Sequence, residues 1–157
     1  MPTASYPGVH VQEIPSGTRT IAGVDTSTAL FIGWAARGPL DEAIRVKSFA
    51  DFASTYGGLD ARSLLGYSLT HFFDNGGHDA YVLRVAHAGD DGLVLDPAGP
   101  NAADFNSAVR ASVGAGSVTD RIDLYNLVCV PGLADGATVA AVQQECRRRR
   151  EIGRAHV

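Results

Sequence analysis

The sequence predicts an α/β fold, a mixed layered sheet with flanking helices preceded by an extended N-terminal arm. Three observations predict it. The run Thr28-Ala29-Leu30-Phe31-Ile32-Gly33-Trp34-Ala35 is almost continuously apolar, as in a strand covered on both faces. Two helical periods follow, each closed by glycines, and the second leads straight into the β-branched segment Ala80-Tyr81-Val82-Leu83-Arg84-Val85, half of the helix–strand alternation of layered sheets. Ahead of both, Tyr6 to Gly17 alternates with a period of two, Val9 and Val11 on one side and His10 and Gln12 on the other, with no hairpin partner beside it.

Taken in order, residues 1–24 form the arm, punctuated by Pro7-Gly8 and Pro15-Ser16-Gly17. A strand too short and isolated to pair locally finds its partner elsewhere, by strand addition. Residues 25–150 form the α/β domain. Within it, Gly38-Pro39 ends the first strand and Ala43-Ile44-Arg45-Val46 is a second. Ser48 caps a helix over Phe49–Tyr56, with Phe49, Phe52 and Tyr56 on one face and Gly57-Gly58 at its C-terminal end. A second helix runs from about Ala61 to Asp74, with Leu64, Leu65, Leu69, Phe72 and Phe73 on its apolar side, and Asn75-Gly76-Gly77 stops it. Residues 88–100 are rich in Gly, Asp and Pro and read as a loop, with 88–121 as the range of a possible insertion. Asn101 or Asp104 starts a short helix carrying Phe105 and Val109, which the glycines at 114 and 116 break. Ile122 to Val130 is the strongest strand pattern in the chain, and a last helix runs from Val139 to about Arg150.

Composition excludes several functions. The 157 residues carry a net charge of −4, with 45% hydrophobic and 19% charged residues, a globular balance that argues against general nucleic-acid binding. No run is long enough to span a bilayer, and the first residues lack the basic and apolar regions of a secretory signal, so residence in the cytoplasm is the default. Cys129 and Cys146 match no zinc-ligand spacing and read as reduced thiols.

Several motifs then occur in one order: Tyr6-Pro7-Gly8-Val9-His10-Val11-Gln12-Glu13-Ile14; Ser16-Gly17-Thr18-Arg19-Thr20-Ile21; Gly23-Val24-Asp25-Thr26-Ser27-Thr28-Ala29-Leu30-Phe31-Ile32-Gly33; Ser48-Phe49-Ala50-Asp51-Phe52 with Tyr56-Gly57-Gly58; Phe72-Phe73-Asp74-Asn75-Gly76-Gly77; and Leu124-Tyr125-Asn126-Leu127-Val128-Cys129-Val130-Pro131-Gly132. In these the chain resembles the N-terminal part of a contractile phage tail sheath protein, which makes the domain an incomplete tail-sheath core. The resemblance implies a structural subunit that polymerises around an inner tube and contracts to drive it through a target cell envelope. It implies a virion tail component assembled in the host bacterial cytoplasm. The implied partners are copies of itself, joined helically by strand addition, the inner tail tube protein, and baseplate and terminator proteins, with no nucleic acid and no membrane insertion. The subunit-linking arm is then Tyr6, Pro7, Gly8, Val9, Val11, Glu13, Ile14 and Gly17. The family continues beyond Arg150 into further strands and a C-terminal domain. Glu151 to Val157 departs from it and resembles a translated sequencing adapter, so residues 151–157 are expected to be a non-native tail.

No catalytic, cofactor-binding or metal site is expected. His71, Asp74, His78 and Asp79 lie close together but fit no ligand spacing, and His87 with Asp90-Asp91 reads as a solvated loop. The glycine pairs follow helices, where they cap, instead of preceding them, where phosphates bind. Arg147 to Arg150 reads as a solvated helix end or an intersubunit salt-bridge surface, its charge complementing the helix dipole. The alternative function is a small-molecule- or nucleotide-binding α/β domain or enzyme, which requires a pocket with convergent polar groups.

Overall fold

The computed structural model describes residues 28–85 and 102–154. The arm and the expected loop over 88–100 lie outside the described residues. Four strands, β1 (Thr28–Gly33), β2 (Ala43–Val46), β3 (Asp79–Arg84) and β4 (Leu127–Cys129), form one mixed sheet in the order β2-β3-β1-β4. β1 lies at the centre, parallel to both β3 and β4, and β2 runs antiparallel to β3 at the far edge. The helices are α1 (Phe49–Tyr56), α2 (Leu65–Asp74), α3 (Ala102–Ser112) and α4 (Gly136–Arg154), with a 3-10 turn over Val118–Arg121. The molecule is thus an α/β fold with helices on a mixed sheet, as the sequence predicts.

The unbroken apolar run of β1 is explained by its place. All six residues are buried, Ala29 and Phe31 toward one core, Leu30 and Ile32 toward the other. Side chains of a strand alternate between faces, so a central strand covered on both sides has no room for a polar residue. The first face is closed by α1 and α2 through Phe52, Tyr56, Leu65 and Leu69, with Phe49, Phe72 and Phe73 packed against them. The second is closed by Phe105 and Val109 of α3, by Ile122 and Tyr125, and by Val142 of α4.

Local chemistry sets the helix ends. The Ser48 Oγ accepts the Asp51 N–H at 3.1 Å, and the Asp51 carboxylate accepts the Lys47 N–H at 3.1 Å, closing the start of α1. Gly57 ends it at φ 101°, in the left-handed region that favours glycine, its N–H donating to the Ala53 carbonyl. Gly38 is constrained twice, by φ 105° and by Tyr56, whose ring would lie 2.6 Å from an added Cβ.

Three expected boundaries differ. The second helix begins at Leu65, not near Ala61, because Asp60 folds Arg62 into a turn and Ser63 donates to the Trp34 carbonyl at 2.6 Å. Leu64 therefore sits at the helix cap, 56% exposed, instead of on the apolar face. The strand expected over 122–130 contracts to Leu127–Cys129. Ile122 and Tyr125 both turn into the second core, a spacing no strand allows, and the Ile122 carbonyl is taken by Arg149 at 2.7 Å. The last helix starts earlier than Val139, because the Asp135 carboxylate accepts both the N–H and the hydroxyl of Thr138, at 2.8 and 2.6 Å.

Candidate functional site

The residues expected to act, Tyr6, Pro7, Gly8, Val9, Val11, Glu13, Ile14 and Gly17, all lie outside the described residues. What the described residues offer to a partner is a sheet with two different edges. The β2 edge is guarded by charge. The Arg45 guanidinium grips the Asp79 carboxylate through both nitrogens, one bond at 2.7 Å, and Lys47 stands exposed just beyond the strand. That grip holds the Asp79 carboxyl below the usual carboxylate range. Charged side chains on an edge discourage another strand from pairing there.

The β4 edge is apolar. It pairs with β1 through only three residues, and among the described residues no strand pairs with its other side. Leu127 is 55% exposed, and Leu124 just before it 42%. Val128 and Cys129 are half-buried, and burial pushes the Cys129 thiol up from its ordinary value. An edge of unpaired backbone groups flanked by exposed leucines is suited to pairing with a further strand.

Behind that edge, α4 is fastened by an ionic knot that reading the sequence as a solvated helix end misses. Glu145, 3% exposed, accepts from Arg148 at 2.7 and 2.9 Å and from Arg149 at 3.3 Å, with the Thr119 and Tyr125 hydroxyls each at 3.4 Å. Arg148 reaches on to Asp120 at 2.7 Å. Arg149 also donates to the Thr119 and Ile122 carbonyls and lies 4.6 Å over the Tyr125 ring. Burial alone pushes the Glu145 carboxyl up, but the two guanidiniums outweigh it and leave it below its ordinary value. Burial likewise raises the Tyr125 phenol to about 12. Arg148 and Arg149 are thus committed within the chain, while the Arg147 side chain is exposed. The sequence signal was the spacing of Glu145 to Arg148 and Arg149, the i,i+3 and i,i+4 of a helical ion pair.

Of the residues weighed as metal ligands, His87, Asp90 and Asp91 lie outside the described residues. Asp79 is spent on Arg45, and among the described residues no three His, Cys, Asp or Glu side chains form a metal-sized group. Ser48 serves as a helix cap. An open groove of about 500 Å³ lies on the second face beside β2, floored by Ala43 and Tyr81 and walled by Asp41 and Glu42 on one side and Arg121 and Asp123 on the other. It flanks the antiparallel edge strand, whose Ala43 stands opposite Leu83 near the C-terminal end of β3.

No protein-family model and no curated protein matches the chain. Among solved structures, its fold is similar to a chain of the anti-feeding prophage (AFP) baseplate in the contracted state, determined by cryo-EM. The TM-score is 0.54 at 24% sequence identity, and the match covers 93% of this chain. This chain spans 38% of the length of that one.

Proposed function

We propose that the chain is part of a structural subunit of a contractile injection particle, of the tail sheath type. Such a subunit polymerises around an inner tube and contracts to drive it. The observation that carries the reading is the fold likeness to a contractile baseplate chain over 93% of this chain. The ordered series of sheath-like motifs supports it, running from Tyr6 through Gly132. The plate-like α/β body and its apolar β4 edge suit a subunit that is joined to neighbours by main-chain pairing while the bodies move. In this reading Val9, Val11 and Ile14 seat in a neighbour's sheet, and residues 16–23 are the tether.

The test uses the intact gene product. Electron microscopy is expected to find tubes, and deleting the residues before Ile21 is expected to abolish them while leaving the circular dichroism of the body unchanged. Normal tubes from the deleted protein overturn the linking role of the arm. A tight, specific nucleotide or metal found by thermal shift favours the ligand-binding alternative instead.

A further inference from the structure

The groove beside β2 has two walls, and the fold anchors both. One wall is the turn that leads from β1 into β2. The Gly38 carbonyl accepts from the Arg84 guanidinium at 2.9 Å, and Ala43 pairs in register with Leu83, so Asp41 and Glu42 are held between two fixed points. The other wall is the 3-10 turn and the residues after it, where Arg149 donates to the Thr119 and Ile122 carbonyls and Arg148 to the Asp120 carboxylate. Between them lies an open trench of about 500 Å³, floored by the half-buried side chains of Ala43, Tyr81 and Val118. Asp41, Glu42, Arg121 and Asp123 stand exposed on its walls, and among the described residues none of these side chains makes a hydrogen bond or ion pair. Carboxylates thus outnumber the guanidinium there, and Arg45, two residues along β2, is already bound to Asp79.

We propose that this groove docks an extended segment of another protein that carries lysine or arginine side chains. An ion pair in open water is worth little, so the exposed carboxylates alone do not retain a small cation. The apolar floor changes this for a ligand with length behind its charge. The alkyl stem of a lysine or arginine lies on Ala43, Val118 and Tyr81, whose ring face also attracts a cation, while the charged head stays hydrated among Asp41, Glu42 and Asp123. In an extended chain alternate residues point the same way about 7 Å apart, so one segment presents several basic heads to the trench in succession. Arg121 is left for a carbonyl or an acidic residue of the same segment. Anchored walls lower the ordering that binding costs. The inference goes beyond the reading of the chain as a contractile-particle subunit and does not depend on it.

Fluorescence anisotropy with the 157-residue chain tests it, using a labelled peptide of alternating lysine and alanine as the probe and circular dichroism to check that each variant folds. Asp41→Asn combined with Asp123→Asn is expected to weaken binding at least about fivefold, as the loss of two exposed ion pairs does. Asp74→Asn combined with Asp104→Asn makes the same change of charge at exposed positions on α2 and α3, and is expected to shift binding by less than about twofold, because charges away from the groove are screened. Arg121→Glu adds a carboxylate to the wall and is expected to tighten binding about threefold, a gain that a misfolded variant does not give. The docking is overturned if the lysine peptide does not bind, if the two paired variants weaken it equally, or if a glutamate–alanine peptide binds as well. Competition by butylamine as strong as that by unlabelled peptide overturns it in favour of a small amine. Self-association of the chain that Asp41→Asn with Asp123→Asn abolishes overturns it in favour of a second copy. None of these results touches the tube assembly of the intact product or its dependence on the arm.

Discussion

The two faces of the sheet are closed by different physics. On the first, α1 and α2 lay down aromatic side chains in edge and stacked contacts, Phe31 on Phe72 at 5.4 Å and Phe52 on Tyr56 at 5.4 Å. On the second, α3 supplies an apolar patch, but α4 is fastened chiefly through the Glu145, Arg148, Arg149 and Asp120 network. The Arg45–Asp79 pair lies on this second face too, two residues along from Ala43 and Tyr81. Burial of apolar area is non-directional and tolerates small shifts, whereas the bonds that Glu145, Arg148 and Arg149 of α4 make to Thr119, Asp120, Ile122 and Tyr125 are directional and hold the helix in one place. Both faces therefore bury an apolar core, and on the second these directional bonds also fix where the outer helix sits.

The contrast is broken most severely by Phe52→Ala. This removes a fully buried ring from the first core and is expected to cost about 3–5 kcal/mol in urea unfolding, with little dependence on pH. Glu145→Ala attacks the other face, stranding Arg148 and Arg149 over an empty carboxylate position, and is expected to cost about 3 kcal/mol at neutral pH. Equal losses at pH 7 and pH 3 for the Glu145 variant would refute the ionic account.

Acid sharpens the same distinction. The Glu145 carboxyl is held below its ordinary 4.5, and Asp120 below its ordinary 3.8, the latter by the Gly116 N–H and by Arg148. A depressed folded value contributes stability that is present above the ordinary value and lost as pH falls through the depressed one. Thermal unfolding of the unaltered chain is thus expected to weaken below about pH 4.5, and Glu145→Gln to flatten that fall. The smallest effect expected is that of Tyr56→Phe, which removes the hydroxyl donating to the Val82 carbonyl at 2.9 Å, about 1 kcal/mol by denaturant titration.

These faces differ as well in how far they can be read from sequence. Phe49, Phe52 and Tyr56 announce themselves by helical spacing, and Ser48 and Gly57 by cap chemistry, because each signal is complete within a few residues. The central strand is legible for the same reason, since continuous apolarity is local. The second face is assembled from distant pieces. Tyr125 reads as part of a strand until Glu145 and Arg149 are brought over it, and the paired spacing of those two gives no hint of Thr119 or Asp120. Leu64 is the opposite failure, an apolar residue at helical spacing whose turn is broken by the bonds of Ser63. The edge preference of the sheet is half legible: Arg45 and Lys47 mark the guarded edge, but that β4 lies on the other side of β1 depends on a parallel pairing that composition does not encode.

The register of β1 bears on how the protein comes to exist. Its partners are both remote, Asp79 opposite Thr28 and Leu127 opposite Ala29. At a synthesis rate of about 5–20 residues per second, the most apolar strand of the chain leaves the ribosome seconds before either flank can be covered. Closing such long loops slows folding, and the intermediate in which β3 has paired and β4 has not exposes a bare apolar strand to any neighbour on the polysome. Crowding of nascent copies thus sets a race between completing β1 and aggregating through it, which makes expression yield more sensitive to β4 than its three residues suggest.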